Sequence, residues 1–340
     1  MKKLLVTGGA GFIGSNFVHY IIENTDDISV INLDKLTYAG NLDNLTELEE
    51  NPRHRFVKGD ICDRELINDI VRDVDYIVNF AAETHVDRSI FDAGTFINTD
   101  VYGTFVLLEA VKKHKTKKFI QISTDEVYGE AFNDRPSLED DPLYPKSPYA
   151  ASKAGADRLA FSYFSTYGLP VIITRCSNNF GRYQYPEKLI PLFVTNAIEG
   201  KSMPVYGTGE NTRDWIHVDD HCDAVLKILQ ESEHYGEAFN IGASTEKSIK
   251  DIAGIILDEL EKPKELMVPV PDRLGHVKRH AVDTSKIKNM LGWEAVHDFE
   301  ESLRKTIQWY RNNESWWRDI KMKSADYQIY YTRQYGEKLK

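Results

Sequence analysis

The sequence predicts an α/β fold, a doubly wound parallel sheet joined to a smaller α/β domain, and three observations carry that prediction. A glycine-rich turn, T-G-G-A-G-F-I-G at 7–14, sits between a short apolar run and an apolar-periodic helix. Apolar runs of strand length then alternate with helical patterns, which is how βαβ units and a parallel sheet read in sequence. The 340 residues exceed what one compact core ordinarily fills, so a second domain is expected.

Composition narrows the classes. A hydrophobic fraction of 41% and a charged fraction of 28% describe an ordinary globular protein. The net charge of −11 argues against non-specific nucleic-acid binding, which needs a positive surface. Cys62, Cys176 and Cys222 are few and widely spaced; they read as reduced cytosolic thiols, with no metal-binding pair. The apolar start Leu4-Leu5-Val6 is cut short by glycines before a signal segment can develop, and no run of 18 apolar residues suggests a membrane span. A cytoplasmic protein with no metal is expected.

The first strand is Leu4-Leu5-Val6, and the helix after the turn carries Phe17, Val18, Ile21 and Ile22 at helical spacing. Gly8, Gly11 and Gly14 have the spacing that brings backbone amides against a pyrophosphate. A second strand, Ser29 to Leu33, ends at Asp34, 20 residues beyond Gly14. A carboxylate there accepts hydrogen bonds from an adenosine ribose and repels a 2′-phosphate, so NAD is expected rather than NADP. This half of the chain is therefore Rossmann-like. A third strand, 55–58, leads to Asp60, placed to reach the adenine amine. The fourth, Tyr76 to Phe80, precedes Ala81 and Ala82, small enough for the backbone to approach the cofactor. His85, Asp87, Arg88 and Ser89 follow without apolar periodicity, as a polar loop outside the core, and a helix is expected around Thr99 to Lys113.

The chemistry is expected between Phe119 and Lys153. A strand over 119–122 ends in Ser123-Thr124-Asp125-Glu126, where open α/β sheets place their ligands. A helix begins after Pro148, with Tyr149 and Lys153 on one face. An ammonium beside a phenol favours phenolate, so Lys153 is expected to lower the Tyr149 pKa. The two carboxyls suit one acid and one base, because burial and mutual repulsion separate their pKa values. Further on, a strand over 171–175 leads to Asn178 and Asn179, Lys188 opens another helix, and Arg213 offers a planar fork for phosphate oxygens. Asn240 lies in a short strand and turn, and Arg273 and His276 share a later loop.

The glycine turn and Y-A-A-S-K at 149–153 together resemble the extended short-chain dehydrogenase/reductase superfamily. D-K-L-T-Y-A-G-N-L at 34–42, A-A-E-T-H-V-D-R-S at 81–89, S-T-D-E-V-Y-G at 123–129 and C-S-N-N-F-G at 176–181 narrow the likeness to the nucleotide-sugar 4,6-dehydratases. It runs from Leu4 to about Tyr310. The resemblance implies an NAD site formed by Gly8, Gly11, Phe12, Ile13, Gly14, Asp34, Lys35, Leu36, Thr37, Asp60, Ile61, Ala81, Ala82, Glu83, Thr99, Tyr149, Lys153 and Asn179. It implies a nucleotide-sugar site, with dTDP-glucose the expected substrate, formed by His85, Ser89, Thr124, Asn178, Lys188, Leu189, Pro204, Tyr206, Arg213, Asn240, Arg273 and His276. The family pattern R-P-G-H-D-R-R-Y reads R-L-G-H-V-K-R-H at 273–280, which keeps Arg273 and His276.

The same resemblance implies the division of labour. Residues 1–175 are expected mainly in the NAD-binding domain, with later segments returning to it, 176–315 mainly in the nucleotide-sugar-binding domain, and 316–340 in a surface extension. Tyr149, held by Lys153, takes the C4 hydroxyl proton as hydride passes to the nicotinamide, while Thr124 holds the C4 oxygen. Glu126 removes the C5 proton, Asp125 protonates the departing C6 hydroxyl, and hydride returned to C6 regenerates the cofactor. A homodimer through a four-helix bundle of the helices near 99–113 and 149–167 is expected as well.

Other readings share parts of the pattern. A 4,6-dehydratase for a UDP- or CDP-sugar differs only in base recognition. A nucleotide-sugar 4-epimerase or decarboxylase needs no acid and base beside Thr124. A non-catalytic NAD sensor would be expected to lose Tyr149, Lys153 or a carboxylate, and all four side chains are present.

Overall fold

The computed structural model describes residues 1–131, 135–272 and 275–336. The strands are β1 (Lys2–Thr7), β2 (Ile28–Asp34), β3 (His54–Lys58), β4 (Tyr76–Asn79), β5 (Lys118–Thr124), β6 (Val171–Cys176) and β7 (Asn178–Phe180). They continue as β8 (Met203–Tyr206), β9 (Thr212–His217), β10 (Ala238–Ile241), β11 (Glu246–Ser248), β12 (Met267–Val270) and β13 (Arg279–His280). The helices begin α1 (Phe12–Asn24), α2 (Arg64–Val71), α3 (Val86–Phe91), α4 (Ala93–Phe96), α5 (Thr104–His114), α6 (Pro148–Tyr167) and α7 (Leu189–Ile198). They end α8 (Val218–Glu231), α9 (Ile249–Glu259), α10 (Ser285–Leu291), α11 (Phe299–Asn312), α12 (Glu314–Lys323) and α13 (Ala325–Tyr335).

One sheet runs β10-β6-β5-β4-β1-β2-β3, with every neighbouring pair parallel. Helices cover both faces of such a sheet, which is why Leu4, Leu5 and Val6 form an unbroken apolar run and are all fully buried. One face packs beneath α1 and α8 through Phe17, Val18, Ile21, Val225 and Ile228. The other packs beneath α2, α5 and α6 through Ile67, Leu107, Val111 and Ala160. Strand order reverses between β1 and β4, and that reversal opens a crevice at the strands' carboxyl ends. Helix α6, which crosses beside the crevice, has its limits written locally. Ser147 caps it by accepting from Ala150 N, Pro148 occupies its first position, and Gly168 ends it in the left-handed region.

The remaining strands build the opposite side. β9 pairs with β11, β13 and β7, and β8 pairs with β12. With α7, α9 and α11 they enclose a separate core containing Phe193, Trp215, Ile256 and Leu303.

Three expectations need correction. The segment from 316, expected on the surface, enters this second core: α12 and α13 bury Trp317, Tyr330 and Tyr335. Large rings whose polar atoms find partners are placed inside, and Trp317 Nε1 donates to Tyr310 O at 2.8 Å; residues 337–340 lie outside the described residues. The stretch 85–89, expected as a polar loop outside the core, begins α3 and buries Asp87 and Ser89. Burial is tolerated because both are hydrogen-bonded: Ser89 Oγ donates to Val86 O, and Asp87 Oδ2 accepts from Gln334 Nε2 and Tyr330. The helix expected from Thr99 opens as a π-helical turn, Ile97–Gly103, before α5.

Candidate active site

The carboxyl ends of β1 to β6 deliver their following residues into one cavity of about 390 Å³, a size suited to a small-molecule site. At its first end lies the glycine turn. Gly8 has φ +69°, and a Cβ there would lie 2.7 Å from Ala81 N; a Cβ on Gly14 would lie 2.2 Å from Gly8 O. Those two glycines are demanded by the fold. Gly11, immediately before α1, differs: a Cβ on it would meet only Gly8 O, at 3.3 Å. The protein leaves space at that point, at the N-terminus of a 13-residue helix with no side-chain cap. This is the cradle a pyrophosphate needs. Asp34 closes β2 with Oδ1 accepting from Leu36 N at 2.7 Å and Oδ2 from Ala10 N at 2.9 Å. Each oxygen keeps a lone pair for a ribose hydroxyl. Lys35 Nζ pairs with Asp60 Oδ2 at 2.7 Å, so this cation next to Asp34 is matched by a carboxylate. The residues fit NAD.

Phe12, Ile13, Thr37, Ile61, Ala81, Ala82, Glu83, Thr99 and Asn179 also line the cavity. Leu36 does not. It stands at φ +57° and turns its side chain onto the sheet's hydrophobic core.

Midway, two segments converge. Thr124, Asp125 and Glu126 come from the end of β5, and Tyr149 and Lys153 from the first turns of α6; all five line the cavity. Asp125 is 3% exposed, Thr124 Oγ1 donates to its Oδ1 at 3.2 Å, and its Oδ2 has no partner. Burial, then the Glu126 and Asp214 charges, raise its pKa to about 8. A pKa of about 8 keeps most of Asp125 protonated at neutral pH, in the lining of the cavity.

The expected effect of Lys153 on Tyr149 is not what the site contains. Burial, followed by Glu126, Cys176 and Asp100, holds the phenol well above its ordinary pKa, and the hydrogen bond with Thr124 pulls it down. Burial also lowers the Lys153 pKa, and its ammonium donates to Ile122 O at 2.7 Å. A fully buried pair answers first to desolvation.

The far end carries the expected substrate residues His85, Asn178, Lys188, Leu189, Pro204, Tyr206, Arg213 and His276. His85 holds φ +86° at the start of α3, a strained conformation of the kind that recurs at binding sites. Lys188 Nζ donates to Thr84 Oγ1 at 2.9 Å, and burial lowers its pKa to about 8. The Arg213 fork, expected on phosphate, donates to backbone carbonyls of Thr212 (2.7 Å), Val277 (2.9 Å) and Lys278 (3.3 Å). Two expected residues lie elsewhere. Ser89 is turned into its own helix by the bond to Val86 O, away from the cavity lining. Asn240 is buried within a structural network, its Nδ2 donating to Ser137 O and its Oδ1 accepting from Tyr128. Arg273 lies outside the described residues.

Sequence reasoning missed Glu187, Asp100 and Tyr335. Glu187 lines the cavity and pairs with Arg88 at 2.7 Å, whose guanidinium rests 3.6 Å over the Tyr38 ring. Tyr335, in the last helix, lines it beside Tyr206. No local pattern marks any of the three, since each acquires its neighbours only through long-range packing.

The GDP-mannose 4,6 dehydratase family model matches residues 5–306. The chain is 48% identical to dTDP-glucose 4,6-dehydratase of Neisseria meningitidis serogroup B, over 94% of this chain and 96% of that one. It is 52% identical to the low-salt glycan biosynthesis protein Agl12 of Haloferax volcanii, over 90% of this chain and 98% of that one. Among solved structures, DesIV of Streptomyces venezuelae, a dTDP-glucose 4,6-dehydratase with NAD and dTDP bound, superposes with a TM-score of 0.91 at 47% identity. That match covers 94% of this chain and 99% of DesIV. With its glycine turn, its two carboxyls after Thr124 and its Tyr149/Lys153 helix, the chain belongs to the nucleotide-sugar 4,6-dehydratase family of extended short-chain dehydrogenase/reductases.

Proposed function

We propose that the protein converts dTDP-glucose to dTDP-4-keto-6-deoxyglucose and water. The observation that carries this reading is Asp125, an acid kept protonated at neutral pH and directly followed by Glu126 in a cavity shared with Tyr149. NAD, when bound, supplies the hydride acceptor for C4 and the hydride donor for C6. Gly8, Gly11 and Gly14 hold its pyrophosphate, Asp34 its ribose, and Asp60 reaches the adenine.

The chain's own groups move the protons. Tyr149 would accept the C4 hydroxyl proton as phenolate, the positive nicotinamide charge of bound NAD opposing the burial that otherwise keeps the phenol protonated; the Thr124 hydroxyl steadies it, and a ketone at C4 then acidifies C5. Glu126 removes the C5 proton. Asp125 gives its proton to the departing C6 hydroxyl, so that water leaves rather than hydroxide. An epimerase or decarboxylase has no use for such an acid. Lys188, a buried cation beside the far wall, and the Tyr206 ring favour the nucleoside diphosphate end. Supplying dTDP-glucose, UDP-glucose and CDP-glucose separately, without added NAD, tests the assignment: product lighter by one water is expected from dTDP-glucose. Turnover of another nucleotide sugar alone would overturn the base assignment.

Two further readings belong to this proposal. The cysteines are all unpaired, and among the described residues no helix is long and apolar enough to cross a membrane; these support a cytoplasmic setting. Ile97, Tyr102 and Phe161 are 51%, 37% and 37% exposed on the π turn and on α6. Apolar residues of that kind on adjoining helices support a homodimer through a four-helix bundle. Light scattering at micromolar concentration should give twice the 39.0 kDa chain mass, and a monomer mass would sink the idea.

A further inference from the structure

Asp100 takes no part in the proton transfers above, yet it is buried and bonded through both oxygens. It sits in the π-helical turn Ile97–Gly103, which packs against α6 where Gly155 makes room: a Cβ there would lie 3.0 Å from Val101 Cγ2. Single π turns within helices recur at functional sites. Asp100 Oδ2 accepts from Ser152 Oγ at 2.5 Å, and Oδ1 accepts from Glu83 N at 2.8 Å. Ser152 is the residue before Lys153, and Glu83 belongs to the loop after β4 that lines the dinucleotide end.

The charges around Lys153 single out this carboxylate. Those acting on its buried ammonium are Asp100, Cys176 and Asp157. Asp157 is paired with Arg175 at 2.8 Å and with Arg158 at 2.5 Å. The Cys176 thiol is raised to about 12 by burial and stays neutral. Around Asp100 stand Lys153, Ser152 and the Glu83 amide; the Glu83 carboxyl is itself raised by burial and by Asp100. Burial, opposed by Lys153 and by the bonds from Ser152 and the Glu83 amide, raises Asp100 to about 6, which leaves it mostly ionised at neutral pH.

We infer that Asp100 is a positioning residue for the dehydration, tying α6 to the loop beneath the dinucleotide and keeping the buried Lys153 an ammonium by its charge. This rests on the dehydratase reading. The arrangement has an opposing side, since the same charge repels a Tyr149 phenolate; removing it therefore lowers the pKa of both neighbours.

The test separates charge from tether. Asp100→Asn keeps the shape and the acceptor for Glu83 N and can keep the tether with its direction reversed, the amide donating to Ser152 Oγ, but removes the charge, whereas Ser152→Ala removes the tether and keeps the charge. Lysine ε-carbon NMR of the NAD-bound protein, with the signal assigned by its loss in Lys153→Met, reads the Lys153 pKa directly. Asp100→Asn is expected to lower it by about one unit, and Ser152→Ala to leave it in place. Both variants are expected to lose kcat toward dTDP-glucose by about ten- to hundredfold with KM unchanged, as misplaced catalytic groups do. An unchanged Lys153 titration in Asp100→Asn would overturn the proposal and make the carboxylate a fold staple. A wild-type protein that leaves dTDP-glucose intact, while Asp100→Asn still moves Lys153, would overturn the substrate assignment and leave the electrostatic pairing standing.

Discussion

Asp125→Asn is expected to stop the loss of water while leaving the earlier steps intact, and Glu126→Gln to stop both water loss and the step before it. An amide at 125 is nearly isosteric with a protonated carboxyl, so the buried site is not asked to accept a new charge. It cannot supply the proton that the C6 hydroxyl requires. Loss of a positioned acid or base typically costs about 10²- to 10⁴-fold, and each variant should lose dehydration on that scale. The two separate in deuterated water: Asp125→Asn should wash deuterium into C5 of recovered dTDP-glucose, because Glu126 still works, and Glu126→Gln should not. Wild-type dehydration in both variants, or C5 exchange in neither, would remove the two-carboxylate mechanism. The pH profile supplies a second check. A general acid acts only while it holds its proton, and burial raises Asp125 to about 8. Activity should therefore fall as pH rises through about 8, while Asp125→Asn should lose that descending limb.

Trp317→Ala is expected to cost about 3–5 kcal/mol of stability, the range for truncating a buried Trp. Trp317 is 0% exposed and belongs to the core that also holds Phe193, Leu303 and Tyr330. Truncation opens a cavity there and leaves Tyr310 O, 2.8 Å from Nε1, without its donor. Arg318 and Lys321 also lose the ring over which they rest, 4.5 and 5.4 Å from its centroid. Trp316, only partly buried and bonded to Asn44 Oδ1 at 3.0 Å, should cost less on truncation. Denaturant titration of the two variants checks the contrast. A cost below about 0.5 kcal/mol for Trp317→Ala, as for ordinary surface positions, would restore the surface-extension reading. Because α13 carries Tyr335 into the cavity wall, the destabilised variant should also raise KM for dTDP-glucose more than it weakens NAD binding.

What was legible in the sequence was local. Gly8, Gly11 and Gly14, the Asp34 terminus of β2 and the i, i+4 pair of Tyr149 and Lys153 each announce themselves within one turn or one strand–helix unit. The catalytic carboxyls were legible because they follow a strand end directly. Burial was not, because the pKa of a side chain is set by what packs on it from elsewhere in the chain. Hence Tyr149 was expected low and is held high, and Asp100 was passed over although its neighbour Thr99 was named. Asn240 and Ser89 carry polar groups that look available in sequence; in the fold they are consumed by Ser137, Asp283, Tyr128 and Val86. The C-terminal aromatics were read as an edge because nothing nearby in sequence offers them an interior. Their interior is built partly by residues more than a hundred positions earlier, such as Phe193.

The two ends of the cavity draw on different stretches of the chain. The residues that fit NAD run from Gly8 to Asn179, whereas most of the opposite wall, His85 and Asn178 apart, comes from the later stretch between Glu187 and Tyr335. A polypeptide leaves the ribosome N-terminus first, and domains tend to fold in that order. The dinucleotide cradle therefore emerges long before the wall that faces it, open to the cofactor on the side where the sugar will later sit. On that order of emergence, the dinucleotide half is the part of the site that the nascent chain can build first.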